Sequence, residues 1–237
     1  MKFTAHVSTF LILITSFLSF DAIQAEEHSA LKPVPRSGGW MTRHERFNKR
    51  VAEGNVDLVF IGDSITQGWE GAGKQIWQDF YGQLNAVNLG ISGDRTQHVI
   101  WRLDNGNFQD ITPKAAVIMI GTNNSRDNSS QEIADGITKI VSQIQTKSPR
   151  TKILLLAVFP RGANKEDARR KVNEGANAIV AKLDDGKRVH YLDIGNAFLK
   201  DDGTLPREIM PDLLHLSPQG YKIWAESIEV KLSKLMK

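Results

Sequence analysis

The stretch VFIGDSITQG, Val59 to Gly68, runs from Val-Phe-Ile straight into Gly-Asp-Ser and then turns polar. A short run of branched and aromatic residues without alternation reads as a strand covered on both faces, as in a parallel sheet. Four further runs have the same character. With the first, they place strands at Asp57–Ile61, Ala86–Ile91, Ala115–Ile120, Lys152–Phe159 and Val189–Ile194. Between them lie helical stripes: Ile133, Ile137, Ile140, Val141 and Ile144; then Val172, Ala176, Ile179, Val180 and Leu183; then Tyr221, Trp224, Ile228, Leu232 and Leu235. These spacings mark core faces. Strand alternating with helix predicts an α/β fold, a three-layer α/β/α sandwich on a five-stranded parallel sheet.

In such a sheet ligands bind outside the carboxyl ends of the strands. The five predicted ends carry Gly62-Asp63-Ser64, Ser92-Gly93-Asp94, Gly121-Thr122-Asn123-Asn124, Pro160-Arg161-Gly162 and Gly195-Asn196. Small and polar residues gather at one rim.

The 237-residue chain is 41% hydrophobic and 24% charged with a formal net charge of +3, and its cations form no block of the kind a nucleic-acid binder presents. Cysteine is absent, which excludes disulfides, thiolate chemistry and a cysteine-borne lipid anchor. Lys2, the apolar run Val7–Phe20 and the small residue Ala25 follow signal-peptide grammar, and the apolar run is shorter than the roughly 20 residues of a membrane span. The chain therefore divides into a signal peptide over 1–25, a flexible Pro- and Gly-containing leader over 26–39 and one domain over 40–237. The expected product is periplasmic or secreted, with no stable membrane insertion once the signal is removed.

Ser64, at the end of the first strand, is placed as a nucleophile would be, although serine there is also a common helix N-cap. A nucleophilic serine needs a base and the base an orienting acceptor. In PDLLHLSPQGY, Asp212 precedes His215 by three residues, so its carboxylate can reach one imidazole nitrogen and leave the other free. Gly93 and Asn123 are candidate donors to an oxyanion; a tight turn and an Asx turn are their ordinary alternatives. Ser92 is a weaker nucleophile, because GISGD lacks the second glycine of G-x-S-x-G. His98 reads as pairing with Asp94 on a helix surface. Arg161, Trp69 and Trp101 are left open between cleft and ordinary packing.

GDSIT, GISGD, GTNN and DLLHL, in this order on successive strand ends, resemble the four blocks of the SGNH (GDSL-type) hydrolases. VNLGISGDRTQHVIWRLDNG, AVIMIGTNNS and VFPRG are similar to the catalytic subunits of brain-type platelet-activating factor acetylhydrolase. The likeness runs from about Trp40 to Leu235. It implies a flavodoxin-like SGNH fold, with Ser64 as nucleophile, His215 as base and Asp212 orienting it. Ser64 N–H, Gly93 N–H and the Asn123 side chain would form the oxyanion hole, and Asp63 would be a structural carboxylate of the nucleophile loop. Ile65 stands where leucine is usual, and Ser92 where related chains often have glycine.

The expectation is an exported serine esterase removing short acyl groups, above all acetyl, from a glycan carrier or another small ester, without metal or organic cofactor. Competing activities are a lysophospholipase, a thioesterase or an acetylhydrolase of the platelet-activating-factor type. Two non-enzymatic readings also compete: a carbohydrate-binding pseudoenzyme, and a nucleotide or flavin binder on the flavodoxin-like fold, for which Asp63 would repel phosphate. Oligomeric state is open, a homodimer included.

Overall fold

The computed structural model describes residues 1–2 and 27–237, so the signal segment read over 1–25 lies almost wholly outside the described residues. Five parallel strands, β1 (Leu58–Gly62), β2 (Ala86–Gly90), β3 (Ala115–Met119), β4 (Lys152–Leu156) and β5 (Val189–Leu192), form one sheet in the order β2-β1-β3-β4-β5. The register aligns Gly62 with Gly90 of β2 and with Met119 of β3. Chain direction across the sheet reverses between β1 and β3, and the crevice outside that junction is where a doubly wound sheet takes its ligand.

Alternate strand residues feed two separate cores. Val59, Ile61, Ala116, Ile118, Ile153 and Leu155 pack with α1 (Gly39–Ala52), α4 (Thr96–Arg102), α5 (Ser130–Lys147) and α6 (Ala168–Val180). Leu58, Phe60, Val117, Met119, Leu154 and Leu156 pack with α3 (Lys74–Tyr81) and α7 (Pro218–Leu235), around Trp69, Tyr221 and Trp224. This is the expected three-layer sandwich. Local signals set the helix starts. Ser129 and Glu132 make a reciprocal capping box on α5, and Ser217 caps α7 with Pro218 in the first turn.

Two predicted strands are shorter than their apolar runs by two residues or more. β4 ends at Leu156; Ala157 N–H still donates to Leu192 O of β5 at 3.0 Å, and the chain then leaves the ladder, with Val158 N–H donating to Asn177 Oδ1 at 2.7 Å, although Ala157 to Phe159 stay buried. β5 ends at Leu192 rather than Ile194. Burial without sheet pairing gives the same hydrophobic signature as a strand.

Residues 27–38 are not the flexible leader expected from their composition, because contacts at Ala30 and Arg36 fasten them to the domain. Ala30 is fully buried and its carbonyl accepts from Thr96 Oγ1 at 2.8 Å; Arg36 Nη1 donates to Ser92 O at 2.8 Å. Proline and glycine mark an irregular path there, and backbone partners on the domain hold it in place.

The Asp94–His98 contact is likewise not a surface one. Asp94 is wholly buried, with Arg102 Nε donating to its Oδ2 at 2.9 Å and Trp40 Nε1 to its Oδ1 at 2.6 Å. His98 Nδ1 stands 3.8 Å from that carboxylate and accepts the Arg95 N–H at 3.0 Å; burial pushes its pKa down to about 4. A charge left alone at such a site costs about 3–5 kcal/mol. Arg102→Leu should therefore lower urea-derived stability by about that amount, and Asp94→Asn added to it should recover part of the loss; equal stability of Arg102→Leu and the parent would contradict the pairing.

Candidate active site

β1 delivers Gly62 and then Asp63 to the carboxyl edge, where α2 (Ser64–Gln67) begins. A Cβ on Gly62 would run into Thr66 and the Met119 carbonyl, so only glycine lets the helix fold back this close. Asp63 caps that turn: its Oδ1 accepts the Ile65 N–H at 2.9 Å while the residue is fully buried. The carboxylate that ends the strand is thus the N-cap of the Ser64 helix. Tyr221 of α7 ties down the other side of the turn, its hydroxyl donating to Ile65 O at 2.6 Å.

Asp212 and His215 arrive from the irregular segment before α7. Asp212 Oδ1 accepts the N–H groups of Leu214 (3.0 Å) and His215 (2.7 Å), closing a tight turn over its own carboxylate. Leu213 inside that turn has φ 63°, a left-handed conformation that disfavours a side chain by about 1–2 kcal/mol. Gly162 N–H fastens it by donating to Leu213 O at 2.9 Å. The second carboxylate oxygen, Oδ2, then accepts from His215 Nδ1–H at 2.6 Å. That bond makes Nε2 the unprotonated nitrogen, and Ser64 Oγ–H donates to it at 2.9 Å. Burial works to raise the Asp212 pKa, but the hydrogen bonds from His215 outweigh it and hold the carboxyl below its usual range. The arrangement can deprotonate the Ser64 hydroxyl as an electrophile approaches, with the resulting imidazolium facing a charged acceptor.

The candidate oxyanion donors meet at the same edge. Gly93 has φ +76°, which suits glycine, and its N–H has no acceptor among the described residues. Ser64 N–H belongs to the first helical turn, where helix geometry leaves donors unpaired. Asn123 is constrained rather than free: its Nδ2 donates to Asp94 O at 2.9 Å, and its only other side-chain partner among the described residues is Asp63 Oδ2, at 3.4 Å. One N–H therefore positions the amide and the other is weakly held.

An indentation of about 420 Å³ opens at Ser64, lined by Gln67, Gly68, Glu70, Gly71 and Ser92, with no aliphatic or aromatic side chain among them. Gln67 Oε1 accepts the Ser92 N–H at 2.8 Å, which sets this lip. Ser92 Oγ has no histidine partner among the described residues. A larger, aromatic-walled cavity of about 470 Å³ runs along the β2 edge between α1 and α3 and shares only Glu70 with the Ser64 indentation. Trp69 is core and walls that larger cavity, Trp101 packs on Trp40 and His44, and Arg161 is half-buried at the rim beside Gly93 and Asn123. Tyr221, Gln67 and Asp94 position the site without having been singled out for it. Tyr221 and Gln67 each act through one backbone group far away in the chain, and Asp94 through its own carbonyl on the Asn123 amide, which leaves no local pattern to find.

Hydroxyl, imidazole and carboxylate in one hydrogen-bonded file on this edge of a flavodoxin-order sheet are the arrangement of an α/β enzyme built for acyl chemistry. Residues 60–223 match the model of the GDSL-like lipase/acylhydrolase family, and the chain belongs to that family, as a carboxylic ester hydrolase. It is 35% identical over 219 residues to platelet-activating factor acetylhydrolase IB subunit alpha1 of Homo sapiens, covering 90% of this chain and 94% of the relative. Among solved structures, a GDSL-like lipase from Bacteroides thetaiotaomicron superposes with TM-score 0.62 at 18% identity, covering 81% of this chain and 97% of the other. A variant of an acetyl-xylooligosaccharide esterase from Geobacillus superposes with TM-score 0.60 at 21% identity, covering 77% and 94%. At those identities the two structures speak for the fold. Among the described residues no helix is long and apolar enough to cross a membrane.

Burial is the largest influence on Asp63, pushing its carboxyl from a usual 3.8 up to about 7; the Ile65 N–H opposes this and the Asp94 charge adds to it. A group that keeps its proton longer when folded stabilises the fold below its unfolded pKa and loses that contribution as pH rises through its folded pKa. Between about pH 4 and 7 the parent should therefore lose stability relative to Asp63→Asn, read as urea midpoints of the two proteins across that range. Parallel midpoint curves would contradict it.

Proposed function

We propose that the protein is an exported serine esterase that removes short acyl groups, above all acetyl, from a glycan carrier through an acyl-enzyme. Ser64 Oγ attacks the ester carbonyl as His215 Nε2 takes its proton. His215 then passes that proton to the leaving alcohol, and water, deprotonated by the same imidazole, releases the acid. Asp212 holds the tautomer, and Ser64 N–H, Gly93 N–H and the second Asn123 N–H face the developing oxyanion. The observation that carries this reading is the unbroken file Ser64 Oγ, His215 Nε2 at 2.9 Å, His215 Nδ1, Asp212 Oδ2 at 2.6 Å.

Short acyl groups are favoured by the indentation at Ser64. Each methylene moved into an apolar pocket gains about 0.8 kcal/mol, and no side chain there supplies that environment. The names of the relatives support acetyl as the group: an acetylhydrolase by sequence and an acetyl-xylooligosaccharide esterase by fold. A shallow indentation suits an ester on a bulky carrier. Export rests on residues 1–25, and an exported enzyme meets glycans. An acetylated phospholipid is the second reading, favoured by the 35% identity to the acetylhydrolase subunit.

Ser64→Ala should abolish p-nitrophenyl acetate hydrolysis in a protein whose circular dichroism is unchanged, and Asp212→Asn should lower kcat by about 10⁴ if the tautomer is its contribution. Parent-like rates in Ser64→Ala would remove the mechanism. Across p-nitrophenyl esters, kcat/KM should be greatest for acetate and gain nothing from butyrate to octanoate; a steady rise with chain length would point to an acyl tunnel instead. Acetylated xylan and acetylated peptidoglycan against an acetylated phospholipid separate the two carriers.

A further inference from the structure

Beside the Ser64 indentation lies a second cavity, of about 270 Å³, whose wall contains Gly93 and Asn123 together with Arg95, Arg126, Arg161 and Arg169. The four arginines come from four places in the chain: the loop after β2, the turn after β3, the loop after β4 and the first turn of α6. No acidic side chain shares the wall. Asp127, behind it, pairs with Arg95 at 2.6 Å and stands 3.6 Å from Arg126. Arg161 and Arg169 have no carboxylate within 4.0 Å among the described residues; Asp167, Asp63 and Asp212 act on Arg161 only from farther off.

Arg161 is also held in a presenting position. Its Nη1 donates to Thr122 O at 3.2 Å and Thr122 Oγ1 at 3.1 Å, while Nε and Nη2 have no acceptor among the described residues. Burial and the neighbouring Arg169 charge both depress its pKa, as expected of a guanidinium that lacks a counter-charge. Free donors, fixed geometry and unneutralised positive charge beside an ester site are what an anion requires.

We propose that this cavity is the subsite for an anionic oxygen group, carboxylate or phosphate, on the alcohol portion of the ester. The side is set by proton transfer. The leaving alcohol takes its proton from His215 Nε2, and Leu214, next to His215, walls the cationic cavity, whereas no residue of that loop lines the Ser64 indentation. The acyl group then faces Gln67 and Gly68 and the carrier faces the arginines. This deepens the esterase reading and rests on it: the carrier is acidic.

The test compares acetyl esters of a neutral methyl glycoside, the matching uronate and the matching sugar phosphate. At low salt, kcat/KM should be about ten-fold or more higher for one or both anionic esters than for the neutral one, with the advantage shrinking as salt is added. Arg161→Gln should reduce the anionic-to-neutral ratio more than Arg169→Gln does, and which anion leads identifies the carrier's charge as carboxylate or phosphate. The same compounds titrated calorimetrically into Ser64→Ala read the subsite without turnover, so that failure of the hydrolytic mechanism and failure of the subsite are separable. A ratio near one in the parent, or one that neither substitution lowers, overturns the proposal. Should Arg161→Gln not fold, the exposed Arg169 position decides the question by itself.

Discussion

Asp94 sits where no water reaches it, and its charge has to be met by the protein. Arg102 meets it from α4, Trp40 from α1, and Arg36, 3.6 Å away, from the segment before α1. The pairing converts one buried charge into a junction of three parts of the chain. Arg102 extends it through Nη1 to Asn107 at 2.6 Å and through Nη2 toward Gly62 O, at 3.5 Å, at the end of β1. The main-chain oxygen of the same Asp94 then holds the Asn123 amide, so the loop after β2 and the turn after β3 are located by one residue. Such a pair contributes little net stability against an apolar alternative, but an arrangement that leaves either partner unpaired is heavily penalised. Here that penalty falls on any displacement of the rim on which Gly93 and Asn123 sit.

The other half of the site is held by a different device. Asp212 spends one carboxylate oxygen on the backbone of its own turn and the other on the imidazole, so a single side chain both shapes the loop and orients the His215 ring. The left-handed Leu213 is the conformational cost of that turn, and it is offset by the bond from Gly162 in the loop after β4. Tyr221 then links α7 to the Ser64 helix, so the serine and the histidine are referenced to the same packed aromatic core. Precision of about half an ångström, which acyl transfer demands, comes from this shared support.

Much of this was legible in the sequence because it is local. Strands buried on both faces show as unbroken apolar runs, the helix faces as 3.6-residue stripes, and the Asp212–His215 pair as an i, i+3 spacing. The misreadings share a cause as well. Ala157 to Phe159 are as buried as a strand, but Val158 bonds to the Asn177 side chain in place of a neighbouring strand, and Asp94 looks like any loop carboxylate until three other parts of the chain are seen to meet it. Residues 27–38 have a loose composition, yet their partners, Thr96 among them, lie tens of residues away.

By itself the sequence determined the alternation of elements, the two-sided burial of the sheet, and the residue types that stand at each strand end. Only the tertiary structure decided that Ser64 and His215, 151 residues apart, share a proton, that Asn123 is tethered rather than free, and that four arginines surround one cavity. Local pattern reports what each segment must hide from water. Which segments then touch depends on the order of strands in the sheet and on where buried charges find their partners, and neither quantity is a property of any one segment.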